Sequence, residues 1–185
     1  MQKLRSRNRR SRGHSIAELG PALFMVLLVM IFPLACLASI GTRYTFMFYA
    51  VRNAAREASR CTQYLTDQSP YQRSAVNRAN QMMALWANPT TGFRGVSAVS
   101  TTTWIHVINI ASGAITRYST PIPAAVPIDT NANVYNITVQ VNANIDPLFE
   151  GGNGWFNPNI PGLTTRFPVT ITCASMCEKP SGLKN

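Results

Sequence analysis

Acidic residues are scarce in this chain and absent from its opening: of seven Asp and Glu, none precedes Glu18. Histidine is scarcer still, with only His14 and His106. No Cys/His grouping has zinc-site spacing, and no glycine-rich loop has the form that cradles a phosphate. The segment DTNAN, Asp129 to Asn133, opens like a calcium loop. However, Val134 stands where the sharp turn needs glycine, and Gln140 where a bidentate glutamate belongs. No serine or cysteine sits in a local nucleophile signature. The expectation is therefore a protein that is not an enzyme and that uses no metal and no cofactor.

Positive charge is abundant, with 17 Lys and Arg and a net charge of +10. Its placement is uneven: Lys3, Arg5, Arg7, Arg9, Arg10 and Arg12 crowd the first thirteen positions, and the remainder is only mildly basic. No basic patch interleaved with aromatics follows, so nucleic acid is not an expected partner. The basic block instead runs into an uncharged stretch from Leu19 to Ile40. At ~1.5 Å per residue this stretch reaches about 33 Å, enough to cross a ~30 Å hydrocarbon core. It is also longer than the ~7–15-residue apolar run of a removed signal peptide. Lys and Arg stay cytoplasmic, so the N-terminus is expected inside and the rest outside. Pro21 falls in the first turns, while Pro33 removes a mid-helix hydrogen bond and predicts a bend.

The helical pattern continues past the apolar stretch. Tyr44, Phe48, Val51, Ala55, Ala58 and Leu65 recur on one side, while Arg52, Arg56 and Arg60 stand four apart on a solvated face. Glu57 lies three positions before Arg60. Ser69-Pro70 predicts the start of a second helix, with Ala75, Val76, Ala79, Met82, Met83 and Trp86 as its core stripe and Asn88-Pro89 as its end. Beyond it, TTWIHVINI, VYNITVQVNANI and FPVTIT alternate as strands. Val134, Ile137, Val139, Val141 and Ile145 are the expected core positions, with a bulge or a strand start near Tyr135. The Gly-, Asn- and Pro-rich stretch DPLFEGGNGWFNPNIPG reads as loop. The expected fold is α+β: a long transmembrane helix continuing as an amphipathic one, a second helix, then a small antiparallel sheet. Residues 1–13 form a basic leader, 14–66 the long helix and 67–185 an outer domain.

Of four cysteines, Cys36 falls in the apolar stretch and reads as a small apolar residue. Cys61, Cys173 and Cys177 fall in the outer part, where an oxidising environment favours disulfides. Four positions on a strand span about 13 Å, too far for Cys173 and Cys177 to bridge without a turn. Cys61 is therefore expected to pair with Cys173 or with Cys177.

A carboxylate at the mouth of a membrane helix has two readings. Ser15 and Glu18 fit a capping box, and negative charge is favourable at the positive end of a helix. Alternatively, the chain is cut between Gly13 and His14, which makes Glu18 the fifth mature residue. The new α-ammonium then offers a partner to a carboxylate of the same or an adjacent subunit, fixing axial register during assembly.

The second arrangement resembles a type IV prepilin signal: a basic leader ending in glycine, then a helix with glutamate fifth. The opening RGHSIAE is similar to RGQSLVE of the TadE-like minor pseudopilins of the tight-adherence (Tad) pilus system. AVRNAAREASR, with Asn53, Ala54, Ala55, Arg56 and Glu57, resembles the NAAREAAR stretch of that family. NITVQVN and FPVTITCASMCE resemble its late strands more loosely, whereas LGPALF after Glu18 departs from the family's longer unbroken apolar run.

The resemblance implies a pilin-like fold and a structural component that primes, caps or anchors an adhesive pilus. The implied partners are other pilin or pseudopilin subunits, the prepilin peptidase, the inner-membrane assembly platform and membrane lipid. The implied location is a bacterial inner membrane, single pass, with incorporation into the pilus as a further implied location. The alternative is a single-pass anchored envelope protein whose outer domain binds a partner unrelated to pili.

Gly13→Val tests the cleavage. A side chain at this position obstructs the close approach of a peptidase to the scissile carbonyl. The variant is expected to accumulate with its leader attached, visible by intact mass. A product of mature length would contradict the assignment.

Overall fold

A computed structural model of the protein describes residues 19–87, 95–147 and 165–184. Helix α1 runs unbroken over Leu19–Ser59, with a stretch of mean hydropathy 2.8 of which only 6% is buried inside the molecule. By length and composition this helix is able to cross a membrane. A bend is expected at Pro33; what the structure shows is a π turn over Leu27–Ile31, just before it. Pro33 has no N–H to give the carbonyl of Val29, and its ring would press on that carbonyl. Widening the preceding turn, so that Phe32 N–H reaches the carbonyl of Leu27, lets the helix continue.

The helix closes at Ser59 and not near residue 66, with Arg60 as its cap. Cys61 N–H donates to the carbonyl of Ala58 at 3.2 Å. The chain then turns so that Tyr64, fully buried, sends its hydroxyl to the carbonyl of Thr103 at 2.7 Å. Leu65, expected on the core side, is left exposed by this turn. The buried face of α1 also differs from the expected one. Val51, Ala55 and Ala58 are buried as read, together with Met47, Ala50 and Ala54, but Tyr44 and Phe48 are exposed. The sheet lies close against the helix, and alanine permits that approach where an aromatic ring would prevent it.

Helix α2, Ala75–Trp86, starts later than expected. Ser74 is its cap, accepting from Asn77 N–H at 3.3 Å. Ser69 instead holds a turn, accepting from the N–H groups of Tyr71 and Gln72. The stripe itself is as read: Ala75, Ala79 and Met83 are buried, with Val76, Met82 and Trp86 packed beside them. Asn88, Pro89 and most of the Gly-rich loop lie outside the described residues.

Strands β1 (Val96–Asn109), β2 (Ile115–Tyr118), β3 (Asn133–Ile145) and β4 (Phe167–Met176) form one antiparallel sheet in the order β2-β1-β3-β4. In β3 the core parity is Tyr135, Ile137, Val139, Val141, Ala143 and Ile145, all buried. Tyr135 thus begins the inward set, and Val134 points to the other face. The parity change near Tyr135 is a strand start, one of its two readings, since β3 begins at Asn133; the register shift in the sheet falls in β1, between Ser97 and Ser100. Helices α1 and α2 cover the inward face, so the part beyond the apolar stretch is a two-layer α+β domain.

The end of the sheet nearest the apolar part of α1 is tied to the helix by Arg43, the first charge after the apolar stretch. Its guanidinium donates to the carbonyl of Asp146. The Asp146 carboxylate accepts from Ser97 Oγ at 2.7 Å and pairs with Arg166 at 3.0 Å. Gly95, at φ +85°, covers the guanidinium so closely that a Cβ would collide with it.

Overfilling the helix–sheet contact tests this packing. Ala54 is completely buried, so Ala54→Leu is expected to cost about 1–3 kcal/mol of stability. Denaturant unfolding of the full chain in detergent measures it, and an unchanged midpoint would show that the contact is looser than described.

Candidate functional site: the junction of helix and outer domain

Of the residues singled out from the sequence, Gly13, His14 and Glu18 lie outside the described residues. The motif Asn53–Glu57 lies on the last turns of α1, and the structure divides its side chains between two directions. Ala54 and Ala55 face the core, at 0% and 1% exposure. Asn53 and Arg56 face outward. Helical geometry alone produces this division, because adjacent pairs at i and i+1 fill one side while residues one step either way fall on the other.

Glu57 sits at the boundary and joins two helices. One carboxylate oxygen pairs with Arg78 of α2 at 3.0 Å, the other with Arg60 at 3.5 Å. Arg60 also reaches Glu178 at 3.3 Å. Half-exposed pairs of this kind contribute about 0–1 kcal/mol each, so their main effect is orientation. Backbone and hydroxyl contacts reinforce them. Glu178 N–H donates to the carbonyl of Ser59 at 3.0 Å, and Ser59 Oγ lies 3.0 Å from Ser175 Oγ. The C-terminal turn Pro180–Lys184 packs across this junction, and a Cβ at Gly182 would overlap the carbonyl of Thr62. An open cleft beside it is lined by Glu57, Arg60, Cys61, Tyr71, Arg73 and Arg78. Two of its three cations are already paired with Glu57.

The bridge expected from Cys61 to Cys173 or Cys177 is not formed in the structure; all four cysteines are free thiols. The Cys61 thiol is turned back along the helix, where it donates to the carbonyl of Glu57 at 3.4 Å. Cys173 lies within β4 opposite Val139, with Arg52 as its charged neighbour. Cys177 is buried just past β4, its N–H bonded to the carbonyl of Tyr135 at 2.8 Å. Burial raises the pKa of the Cys61, Cys173 and Cys177 thiols, that of Cys61 to about 11.

Two features had no clear signal in the sequence. Tyr64 is a pivot that looked like part of a helix. On the outward sheet face, Trp104 is buried under the guanidinium of Arg117, 3.7 Å from its ring centre. Trp104 Nε1–H donates to His106 Nε2 at 2.8 Å, which places the imidazole proton on Nδ1, toward Thr138 Oγ1 at 3.2 Å. Burial and then the Arg117 charge lower the His106 pKa, so the ring stays neutral. Cross-strand register creates this cluster: Trp104 lies opposite Thr138, and His106 opposite Arg117.

No protein-family model matches the chain, and no curated protein or solved structure matches it significantly.

The raised Cys61 pKa makes a measurable statement. The thiolate is the reactive form, and a shift from the ordinary 9.0 to about 11 cuts its population at pH 8 about 100-fold. Alkylation of Cys61 by iodoacetamide is therefore expected to be about 100-fold slower in the native protein than in the unfolded chain. The native rate should climb as pH approaches 11. Equal rates at pH 8, resolved by peptide mapping, would remove the burial argument.

Proposed function

We propose that this protein is a TadE-like minor pseudopilin, a structural component that primes, caps or anchors an adhesive Tad-type pilus. The observation that carries the reading is a single continuous helix, Leu19–Ser59, whose lower part is apolar and unpacked while its upper part is fixed into an α+β head. That is the shape a subunit needs if it is inserted by its helix into a membrane or a bundle of like helices and presents its head beyond. The sequence supports the same reading at both ends of the helix. A basic leader ends at Gly13, followed by His14 and then Glu18 at the fifth mature position; Asn53–Glu57 resemble the family's motif.

In this reading prepilin peptidase cuts between Gly13 and His14 at the cytoplasmic face of the inner membrane. The released ammonium of His14 and the Glu18 carboxylate then set the axial register against neighbouring subunits, where a charge in an apolar surrounding tolerates only a paired arrangement. The outer domain acts by shape and contact, in company with other pilin or pseudopilin subunits and the assembly platform.

The mature N-terminus is the direct test of processing: His14 is expected, and an N-terminus at Met1 would favour an unprocessed, membrane-anchored envelope protein. Glu18→Gln separates assembly from helix capping. The amide keeps most of the capping geometry but removes the charge. The variant is expected to be cut and inserted normally yet to support no pili. Normal piliation would leave Glu18 as a helix cap.

A further inference from the structure

We propose that the end of the α+β head nearest the apolar part of α1 is seated in the lipid headgroup layer, with Tyr44, Phe46, Leu85 and Phe167 entering it around the point where the helix leaves the bilayer. The four side chains are exposed, at 44%, 44%, 55% and 39%. They come from three elements, and tertiary contacts bring them to one level. Arg43 donates to the carbonyl of Asp146. Asp146 follows Ile145, the partner of Phe167 across the sheet, so Phe167 stands at the height of Arg43. Leu85 lies in the last turn of α2 beside Trp86, which shares an apolar notch with Phe46, Met47 and Val96. Helix α2 therefore ends at the height of Phe46.

Height along α1 identifies the occupant. The uncharged stretch from Leu19 to Ile40 fills a ~30 Å hydrocarbon core, and a headgroup layer adds roughly 5–7 Å on each side. At ~1.5 Å per residue, Arg43, Tyr44 and Phe46 stand about 4, 6 and 9 Å beyond Ile40. Tyr44 and Phe167 thus fall inside that layer, and Phe46 and Leu85 at its outer border. Tyrosine is favoured at this depth, with its ring against apolar matter and its hydroxyl in water. Phe167 keeps the inward parity of Val169 and Ile171, yet those two are buried and Phe167 is not. The apolar inner face of the sheet therefore overruns its helical cover on the side toward the apolar stretch, where lipid can complete it. Arg166 stands next to it, 61% exposed while paired with Asp146, a cation at the level of the phosphates. A second copy of this chain, or any other protein, would have to enter the headgroup layer itself to cover these residues.

The inference rests on α1 spanning a bilayer, which the pseudopilin reading and the anchored-envelope reading share, and it requires no pilus. The experiment reconstitutes the full chain in vesicles of phosphatidylethanolamine and phosphatidylglycerol. A photo-crosslinking phenylalanine derivative replaces one residue at a time: Leu28 in the apolar stretch, Phe167, or Ile115. Ile115 is also apolar and exposed, but it pairs with Ile108. Ile108 lies twelve residues along β1 from Val96, about 40 Å at ~3.3 Å per residue. After illumination, mass spectrometry is expected to find phospholipid adducts at Leu28 and Phe167 and none at Ile115. Lipid at Leu28 without lipid at Phe167 would overturn the seating of the head and leave the spanning helix, and the proposed function, standing. Lipid at neither position would overturn the span as well. Equal lipid adducts at Phe167 and Ile115, or a second copy captured at Phe167 in place of lipid, would also overturn the proposal.

Discussion

The close seating of the alanine stripe of α1 on the sheet is the contact on which the rest of the molecule depends. Ala50, Ala54 and Ala58 recur every four residues, flanked by Val51 and Ala55, and all five are essentially inaccessible. Opposite them lie Ile137, Val139 and Val141 of β3, with Val169 and Ile171 of β4. Small side chains on the helix and branched ones on the sheet divide the space between them. A larger residue on the helix would have to displace the central strand. Once this contact forms, Glu57 comes within reach of Arg78, and Ser59 within reach of Ser175 and Glu178.

The same contact transmits position. Because α1 is continuous from Leu19 to Ser59, the head and the apolar lower helix are parts of one rod. The π turn before Pro33 preserves that continuity: the proline costs one hydrogen bond but does not break the helix. Arg43, held by Asp146 beneath Gly95, ties the lower edge of the sheet to the helix where charge first reappears. In the proposed function, a head held at a defined height and rotation above a membrane needs this rigidity more than it needs a pocket.

Charge placement follows a related logic. The described carboxylates serve internal ends: linking helices, capping α2, closing turns and holding the lower sheet edge. The cations are more numerous, so some remain without internal partners. Those on the outward face of α1 are Arg52 and Arg56, on the side opposite the alanine stripe. A 3.6-residue repeat places an apolar contact and a charged surface back to back, as in this segment.

Local physics made much of this legible from sequence. A charge-free run long enough to cross a hydrocarbon core reads as a long apolar helix, and period-two alternation in β3 and β4 reads as strand, because each pattern reflects a geometry set by the backbone. The α2 stripe was legible for the same reason, as was the α+β class. Gly13, His14 and Glu18 were legible only as a motif, since their proposed role arises when the chain meets a peptidase and neighbouring subunits. Tertiary structure decided what local pattern leaves open. It placed Tyr44 and Phe48 outside and Ala50 and Ala54 inside, because the closeness of the sheet, not side-chain hydrophobicity, selects the buried face. It ended α1 at Ser59, because Tyr64 gains more from burial and a hydrogen bond to Thr103 than from one further helical turn. It moved the start of α2 from Ser69 to Ser74, since either serine can cap a helix and only packing against α1 selects between them. It also set the distances among Cys61, Cys173 and Cys177, which belong to segments that meet only after the sheet has assembled on the helix.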